Sequence, residues 1–269
     1  MFASVLGVVV ATAILIAAFI GNRPASPAST TDGPAYSSDE DWGDVAIYAV
    51  QPDGSLDPEP TGRAAEVWRI FERIATPEYA AQVIYEYRVG DAPGSDTLAY
   101  VERSDEPGYW ALADNLATSS DTPYLIATLI HEYAHLILWS TDEFDIADEC
   151  ELLAFSDGLC AHPDAILQAY HERFWHAYGS AAPRPDNVDS DIAERFDDAH
   201  PEDFVSAYAA TNVAEDAAET FAAFVIEDIP DPQSSTVAAK LAFFAEYPEL
   251  LAIRDRIRQE FAGQLEWRP

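Results

Sequence analysis

The chain has 269 residues, of which 48 are acidic and 14 are basic, giving a formal charge of -34. A field of that sign repels nucleic-acid phosphates and anionic lipid headgroups, so neither is an expected partner, and it attracts cations, including metal ions. The length suits one substantial domain with additional segments, or two small domains.

The chain begins with an apolar run. Residues 2–20 carry no charge, and as a helix they would span about 28 Å, close to the hydrocarbon thickness of a bilayer. The run is longer than a usual signal-peptide core and no basic residue precedes it. Both features favour the interpretation that residues 1–21 form a membrane anchor. A cleaved signal peptide is the alternative. Both interpretations place the remainder outside the cytoplasm, either anchored to the membrane or secreted.

Two cysteines, Cys150 and Cys160, stand ten residues apart. In an exported protein such a pair predicts one small disulfide loop, and two buried free thiols are the alternative. A cysteine-based metal site needs more nearby ligands than this segment contains.

Residues 22–60 are rich in Pro, Ser, Gly and Asp, which predicts a linker with one strand-like patch, DVAIYAV. From Arg63 to Pro77 apolar residues recur at helical spacing. Three strand-like runs follow: QVIYEYRV, TLAYVER and GYWALAD.

The second half of the chain predicts helices. Their expected ranges are 123–139, 163–178, 202–210, 213–226 and 236–261, the last with a break at Pro248. The pattern predicts an α+β domain over residues 61–269, with a small, mostly antiparallel sheet and a predominantly helical C-terminal half.

The segment LIHEYAHLIL, residues 129–138, places two histidines and a glutamate in an apolar run. Thr122 as N-cap and Pro123 at the first helical position predict a helix start. His131 and His135 then share one face and can bind the same ion. A catalytic zinc site takes histidine nitrogens at about 2.0–2.1 Å and keeps one position open for water. In the HExxH pattern Glu132 is the general base that deprotonates this water. A buried helix whose histidines bond to other polar groups is the alternative.

A second helix, within TNVAEDAAETFAAFV, carries two glutamates on one apolar face, Glu215 and Glu219. Carboxylates directed inward from such a face require a cation, a proton or hydrogen-bond donors. Zinc held by His131 and His135 would supply the cation to Glu215. Glu219 could then orient a histidine by accepting its ring N–H.

Other interpretations of this helix start stay open. Asn212 as N-cap and Glu215 three residues later form a capping-box pattern, which explains Glu215 without a metal but not Glu219. Asp216 falls on a different face and is expected to be a solvated first-turn acid. The remaining histidines are expected not to be ligands; they are His162, His171, His176 and His200.

The two motif segments resemble the zincin metallopeptidases of the gluzincin type, and in particular the catalytic domain of the anthrax lethal factor type. There a Tyr follows HExxH, a Glu ligand comes seven residues after the Tyr, and another Glu four further on. Tyr208, Glu215 and Glu219 have that spacing. The chain is also similar to exported, acidic metallopeptidase-like proteins of actinobacteria, which carry a similar EDxAExFAxF segment and a Cys pair after HExxH. The resemblance covers residues 120–228 loosely and does not cover the N-terminal third.

The resemblance implies that His131, His135 and Glu215 bind Zn²⁺ and that Glu132 is the general base. It further implies that Tyr208 donates its phenol to the developing oxyanion; a buried core tyrosine is the alternative. The gap of 80 residues from His135 to Glu215 is longer than in the lethal factor type. This insertion contains the Cys pair and could be a lid or a specificity element.

We therefore expect an exported zinc metallopeptidase that hydrolyses peptide or protein substrates. GYWALAD is a candidate edge strand for binding the substrate backbone, and an interior strand is the alternative. Two other classes stay open: a catalytically silent zinc-binding protein on a zincin scaffold, and a cell-surface interaction module whose HExxH is accidental.

Overall fold

A mixed sheet and a helical layer make up the domain in the computed structural model, which describes residues 23–25, 33–147, 149–156 and 158–267. The six strands of the sheet are β1 (Ala35–Asp39), β2 (Gly43–Val50), β3 (Leu56–Asp57), β4 (Ile84–Gly90), β5 (Ala99–Arg103) and β6 (Trp110–Asn115). Their order is β1-β2-β4-β6-β5, and β3 pairs with β2. Only β4 and β6 pair in parallel, so the expected small, mostly antiparallel sheet is confirmed.

Helices fill the rest of the domain and confirm the α+β class. They are α1 (Gly62–Ala75), α2 (Pro77–Val83), α3 (Thr122–Leu138), α4 (Ile166–Tyr170), α5 (Ser190–Ala199), α6 (Val213–Ile226), α7 (Thr236–Phe244) and α8 (Pro248–Glu260). Two further strands, β7 (Phe144–Ile146) and β8 (Leu159–Ala161), form a small hairpin between α3 and α4.

Helix α3 lies at the centre of the helical layer, where it packs against β5, α1 and α6. Apolar residues surround most of it, as expected for a helix with buried faces. Its partner α6 is rich in alanine: Ala214, Ala217, Ala218 and Ala222 are all buried. Small side chains at a helix contact allow the axes to approach closely, so polar groups on α3 and α6 come within bonding distance of one another.

Several expectations about individual elements are wrong. Within residues 22–60, assigned to a linker, β1, β2 and β3 pair into the sheet. Polar residues fit β1 because it is an edge strand whose residues are largely exposed. GYWALAD, the candidate edge strand, forms β6, which lies between β4 and β5. Its six residues are all buried, and β5 is the edge strand instead.

The helices also differ from expectation in places. The stretch 202–210 is not an α-helix; a 3-10 turn, Tyr208–Thr211, lies at its end. Helix α5 was not predicted, and Asp189 caps its start by accepting from Asp191 and Ile192. Helix α3 begins at Thr122 as its first residue, and Asp121 is the N-cap that accepts from the N–H of Tyr124.

Among the helices within the described ranges, none has the length and hydropathy needed to cross a bilayer. The apolar run of residues 2–20, predicted as an anchor or signal peptide, lies outside the described residues.

Candidate metal centre

The start of α6 sets the position of a polar side chain that faces α3. Asn212 is the N-cap of α6, as expected, and its Oδ1 accepts from the N–H groups of Ala214 and Glu215 at 2.8 and 2.9 Å. This cap fixes Glu215 in the first turn, facing α3. Its carboxylate does not complete a capping box and reaches the imidazoles instead.

Three ligand atoms, one each from His131, His135 and Glu215, converge between the helices. The two Nε2 atoms are 3.0 Å apart. Glu215 Oε2 lies 3.1 Å from Nε2 of His131 and 3.3 Å from Nε2 of His135. Tetrahedral zinc with bonds of about 2.0–2.1 Å separates its ligand atoms by about 3.3–3.4 Å. The triangle is therefore close to the size that one such ion requires, and the three residues form a group that can hold a metal ion.

The carboxylate oxygen at one corner of this triangle supports the same interpretation. Glu215 Oε2 is fully buried and has no conventional hydrogen-bond partner among the described residues. A buried carboxylate oxygen without a donor is costly. Both neighbouring nitrogens are ring atoms whose lone pairs are suited to a cation. A shared divalent ion satisfies all three atoms together.

Glu219 contacts one of the two imidazoles. Its Oε1 lies 2.8 Å from Nδ1 of His131. When Nδ1–H donates to this carboxylate, a neutral His131 presents the Nε2 lone pair to the centre. The other oxygen of Glu219 accepts from the hydroxyl of Ser206 at 2.6 Å, and Ser206 Oγ also accepts from the N–H of Ala209 at 3.1 Å. Sequence reasoning missed Ser206, which connects the 3-10 turn of Tyr208 to the histidine.

Glu132, next to His131 on α3, is buried and accepts from the backbone N–H of Val101 on β5. Burial raises the pKa of Glu132; the two imidazoles lower it, and Glu215 raises it further. The net shift is upward, so this carboxylate takes up a proton more readily than an exposed glutamate.

Tyr208 lies at the open side of the site and is not a core residue. It is 56% exposed, and its ring centre is 6.0 Å from that of His131. Its hydroxyl interacts with Glu215, whose negative charge, more than burial, raises the pKa of the phenol. Tyr208 therefore stays protonated and can donate a hydrogen bond.

The charges at the centre are strongly coupled. Burial works to lower the pKa of His131, but the neighbouring carboxylates of Glu215 and Glu219 outweigh burial and raise the pKa well above its ordinary value. Burial works to raise the pKa of Glu215, and the charges of the two imidazoles instead hold it below its ordinary range. A proton and a divalent ion compete for the same lone pairs here.

The prediction that Asp216 is a solvated acid is wrong. It is completely buried and accepts from the ammonium of Lys240 and from the indole N–H of Trp175, both at 2.7 Å. Lys240 is also fully buried, and it donates to the carbonyl of Asp203 at 2.7 Å. These long-range partners, which the local pattern does not reveal, anchor α6 close to Glu215.

Cys150 and Cys160 form the predicted disulfide, with Cα atoms 5.3 Å apart. His162 lies outside the centre, where it pairs with Asp145 at 3.0 Å, and the described residues contain one group suited to a metal ion. Trp139, which sequence reasoning did not single out, stacks on His135 with ring centres 4.5 Å apart.

Comparison with known proteins adds no relatives: no protein-family model, curated protein or solved structure matches the chain. The resemblance of its two motif segments to the gluzincins therefore stays a prediction, and the geometry of the site carries the functional argument.

Proposed function

We propose that the chain is a zinc-dependent metallopeptidase. The observation that carries this proposal is the triangle of His131 Nε2, His135 Nε2 and Glu215 Oε2, with sides of 3.0–3.3 Å, next to a buried Glu132. Two imidazoles and one carboxylate are a donor set that zinc favours in catalytic sites. A structural site has no need of a general base beside its ligands.

Each polar group has a chemical role in this proposal. Zinc held by His131, His135 and Glu215 would supply Lewis acidity towards a peptide carbonyl and would lower the pKa of water. Glu132, with its raised pKa, accepts the proton of the attacking water and returns it to the leaving amine. The hydroxyl of Tyr208 donates a hydrogen bond to the substrate carbonyl oxygen, on which negative charge develops. Glu219 holds the ring of His131 in place.

The edge strand β5 provides a docking element for an extended peptide. Val101 of β5 touches Glu132 through its backbone N–H, so a chain added to the free edge of β5 would run past the catalytic carboxylate. Strand addition gives affinity through main-chain hydrogen bonds. This role passes to β5 because β6 is interior.

We further propose that the enzyme acts outside the cytoplasm, anchored by residues 2–20 or secreted. The disulfide between Cys150 and Cys160 supports this location, because disulfides persist in oxidising compartments.

The test is the substitution Glu132→Gln in the full chain, assayed on a broad peptide library with zinc content measured in parallel. We expect hydrolysis to fall by roughly 10²–10⁴-fold or more, since a general base is lost, while zinc stays bound. Glu194→Gln, at an exposed position of α5, is the matched control and should keep full activity. If the wild type holds zinc yet hydrolyses nothing, the silent zinc-binding protein is the better interpretation.

A further inference from the structure

The two histidines of the centre are held in different ways. His131 is fixed by the Nδ1 contact with Glu219 at 2.8 Å. Within the described part of the chain, Nδ1 of His135 has no comparable carboxylate partner. Its ring instead lies flat against the indole of Trp139, with centres 4.5 Å apart and planes inclined by 16°. Stacking is thus the contact that orients the second ligand.

Trp139 is itself enclosed by aromatic rings. Trp110 of β6 stacks on it at 5.9 Å with an interplanar angle of 7°. Phe155 meets its edge at 5.7 Å and 85°, and Phe144 of β7 meets Phe155 at 5.9 Å. Such pairs contribute about 0.5–1.5 kcal/mol each beyond area burial. The indole therefore has little freedom to rotate away from His135.

Phe155 belongs to the loop that the disulfide closes. Cys150 and Cys160 flank it, its backbone N–H donates to the carbonyl of Leu159 at 3.0 Å, and Ala154 bridges to Cys160. The loop thus presses one aromatic side chain against the indole beside a metal ligand. The insertion is connected to the metal centre by continuous packing.

The indole nitrogen gives independent support for a packing role. Nε1 of Trp139 is buried and has no hydrogen-bond partner among the described residues. A buried tryptophan usually finds a partner for this N–H, and leaving it unpaired costs free energy. The side chain is therefore used here for its ring face.

We propose that Trp139 is a positioning residue for His135, and that the disulfide-closed loop, through Phe155, holds it there. The proposal rests on the proposed metal site and deepens it: the insertion between the two motifs acts on the affinity for the metal. A ring free to rotate about its side-chain torsions must be ordered again on each binding event, which weakens the complex.

The test measures zinc affinity by competition with a chromophoric chelator, using the full chain in its oxidised form. Trp139→Leu removes the stacking face, and we expect roughly tenfold weaker zinc binding, the lower end of the effect of groups that orient metal ligands. Trp139→Phe keeps an aromatic face and should bind zinc within about twofold of the wild type.

A second pair of variants separates positioning from general loss of packing. Phe155→Ala should weaken zinc binding, whereas Phe174→Ala should not. Phe174 is also partly buried among aromatic rings, but its partners are Tyr170 and Phe243. Unfolding of each zinc-free variant in urea shows whether the two truncations destabilise the fold alike.

The outcomes are distinct. If the wild type binds no zinc, the proposed function fails. If the wild type binds zinc and both Trp139→Leu and Phe155→Ala bind it equally well, the site stands and the positioning role is overturned.

Discussion

At the scale of single residues, the partner decides the state of each buried carboxyl group. Asp216 is balanced by the ammonium of Lys240, and Glu215 by the imidazoles beside it. Asp114 on β6 is 1% exposed, and neither of its carboxyl oxygens has a partner among the described residues. Burial, and secondarily the charge of Glu132, raises the pKa of Asp114 well above its ordinary value. The folded protein therefore favours the neutral, protonated form of this carboxyl group.

Asp114→Asn should therefore stabilise the protein at neutral pH. The pKa of Asp114 is higher in the folded protein than in the unfolded chain, where it is about 4. The contribution of this group to the free energy of unfolding is therefore fully present below about pH 4, and it is lost as the pH rises through the pKa of the folded state. Asparagine does not ionise, so the gain should be small near pH 4 and grow to about 1 kcal/mol or more near pH 8. Urea unfolding across this range measures it. Asp198→Asn, at an exposed position, is the control, and its effect on the free energy of unfolding should change little with pH. If the effect of Asp114→Asn were also independent of pH, the prediction would be contradicted.

The lysine partner of Asp216 allows a second prediction at this scale. Lys240→Met removes the only ammonium side chain in the sequence and leaves a buried carboxylate without its cation. Breaking such a pair typically costs about 3–5 kcal/mol. The double change Asp216→Asn with Lys240→Met should cost less than the sum of the two single changes, as a double-mutant cycle of unfolding free energies would show. Strict additivity would mean that the two groups are not coupled.

At the scale of elements, the last helix, α8, acts as a clamp on α6, the helix that carries Glu215. Arginines of α8 donate to carbonyls at the C-terminal end of α6. Arg254 bonds to the carbonyls of Phe224 and Glu227 at 2.6 and 2.7 Å, and Arg258 bonds to those of Ile226 and Glu227 at 2.6 and 3.0 Å. The final carbonyls of a helix have no partner within it. Cations at this end also interact favourably with the helix dipole.

Arg258→Ala should lower the free energy of unfolding by about 1–2 kcal/mol, because charge-assisted bonds to helix carbonyls are lost. Arg195→Ala, at an exposed position of α5, is the control and should change stability by less than about 0.5 kcal/mol. Chemical denaturation of both variants distinguishes a clamp from a surface charge. Equal effects would remove the basis for the clamp.

The sequence allowed the motif helices to be predicted, since apolar spacing and caps are local properties. The pattern around His131 and His135 predicts one helix, and Asn212 predicts the start of the other. What could not be predicted depends on partners far along the chain. The residues around Asp216 predict an ordinary acid in the first turn of a helix. The one indication of a buried ion pair is Lys240, which lies in the apolar run TVAAKLAFF.

The sheet shows the same limit. Strand β1 is polar because it lies at an edge, so its composition resembles that of a linker. GYWALAD became interior because β5 folds back onto it as the outer strand, a choice of pairing that alternation within either strand does not reveal. The local pattern thus identifies strands more readily than their order.

At the scale of the whole molecule, charge is the dominant feature. The formal charge of -34 already counts every basic side chain. Some of these are also bound within the fold: Arg23 donates to three backbone carbonyls, and Arg73 pairs with Glu260. Repulsion among like charges destabilises a compact state, and salt screens it.

Raising the ionic strength with sodium chloride from about 0.01 to about 0.15 M shortens the screening length from about 30 to about 8 Å. We expect the urea midpoint of the full chain to rise over this interval. An equal osmolality of sucrose controls for preferential exclusion. A midpoint that falls with salt would show that attractive ion pairs outweigh repulsion.

The proposed activity depends most on one ion held jointly by α3 and α6. Titration of the full chain, in mild detergent and after removal of metal, with Zn²⁺ measures this directly for the wild type and for Glu215→Ala. We expect one zinc per wild-type chain and binding at least roughly 100-fold weaker in the variant, which loses a ligand rather than only an orienting group. Equal affinity in the two proteins, or no binding by the wild type, would contradict it.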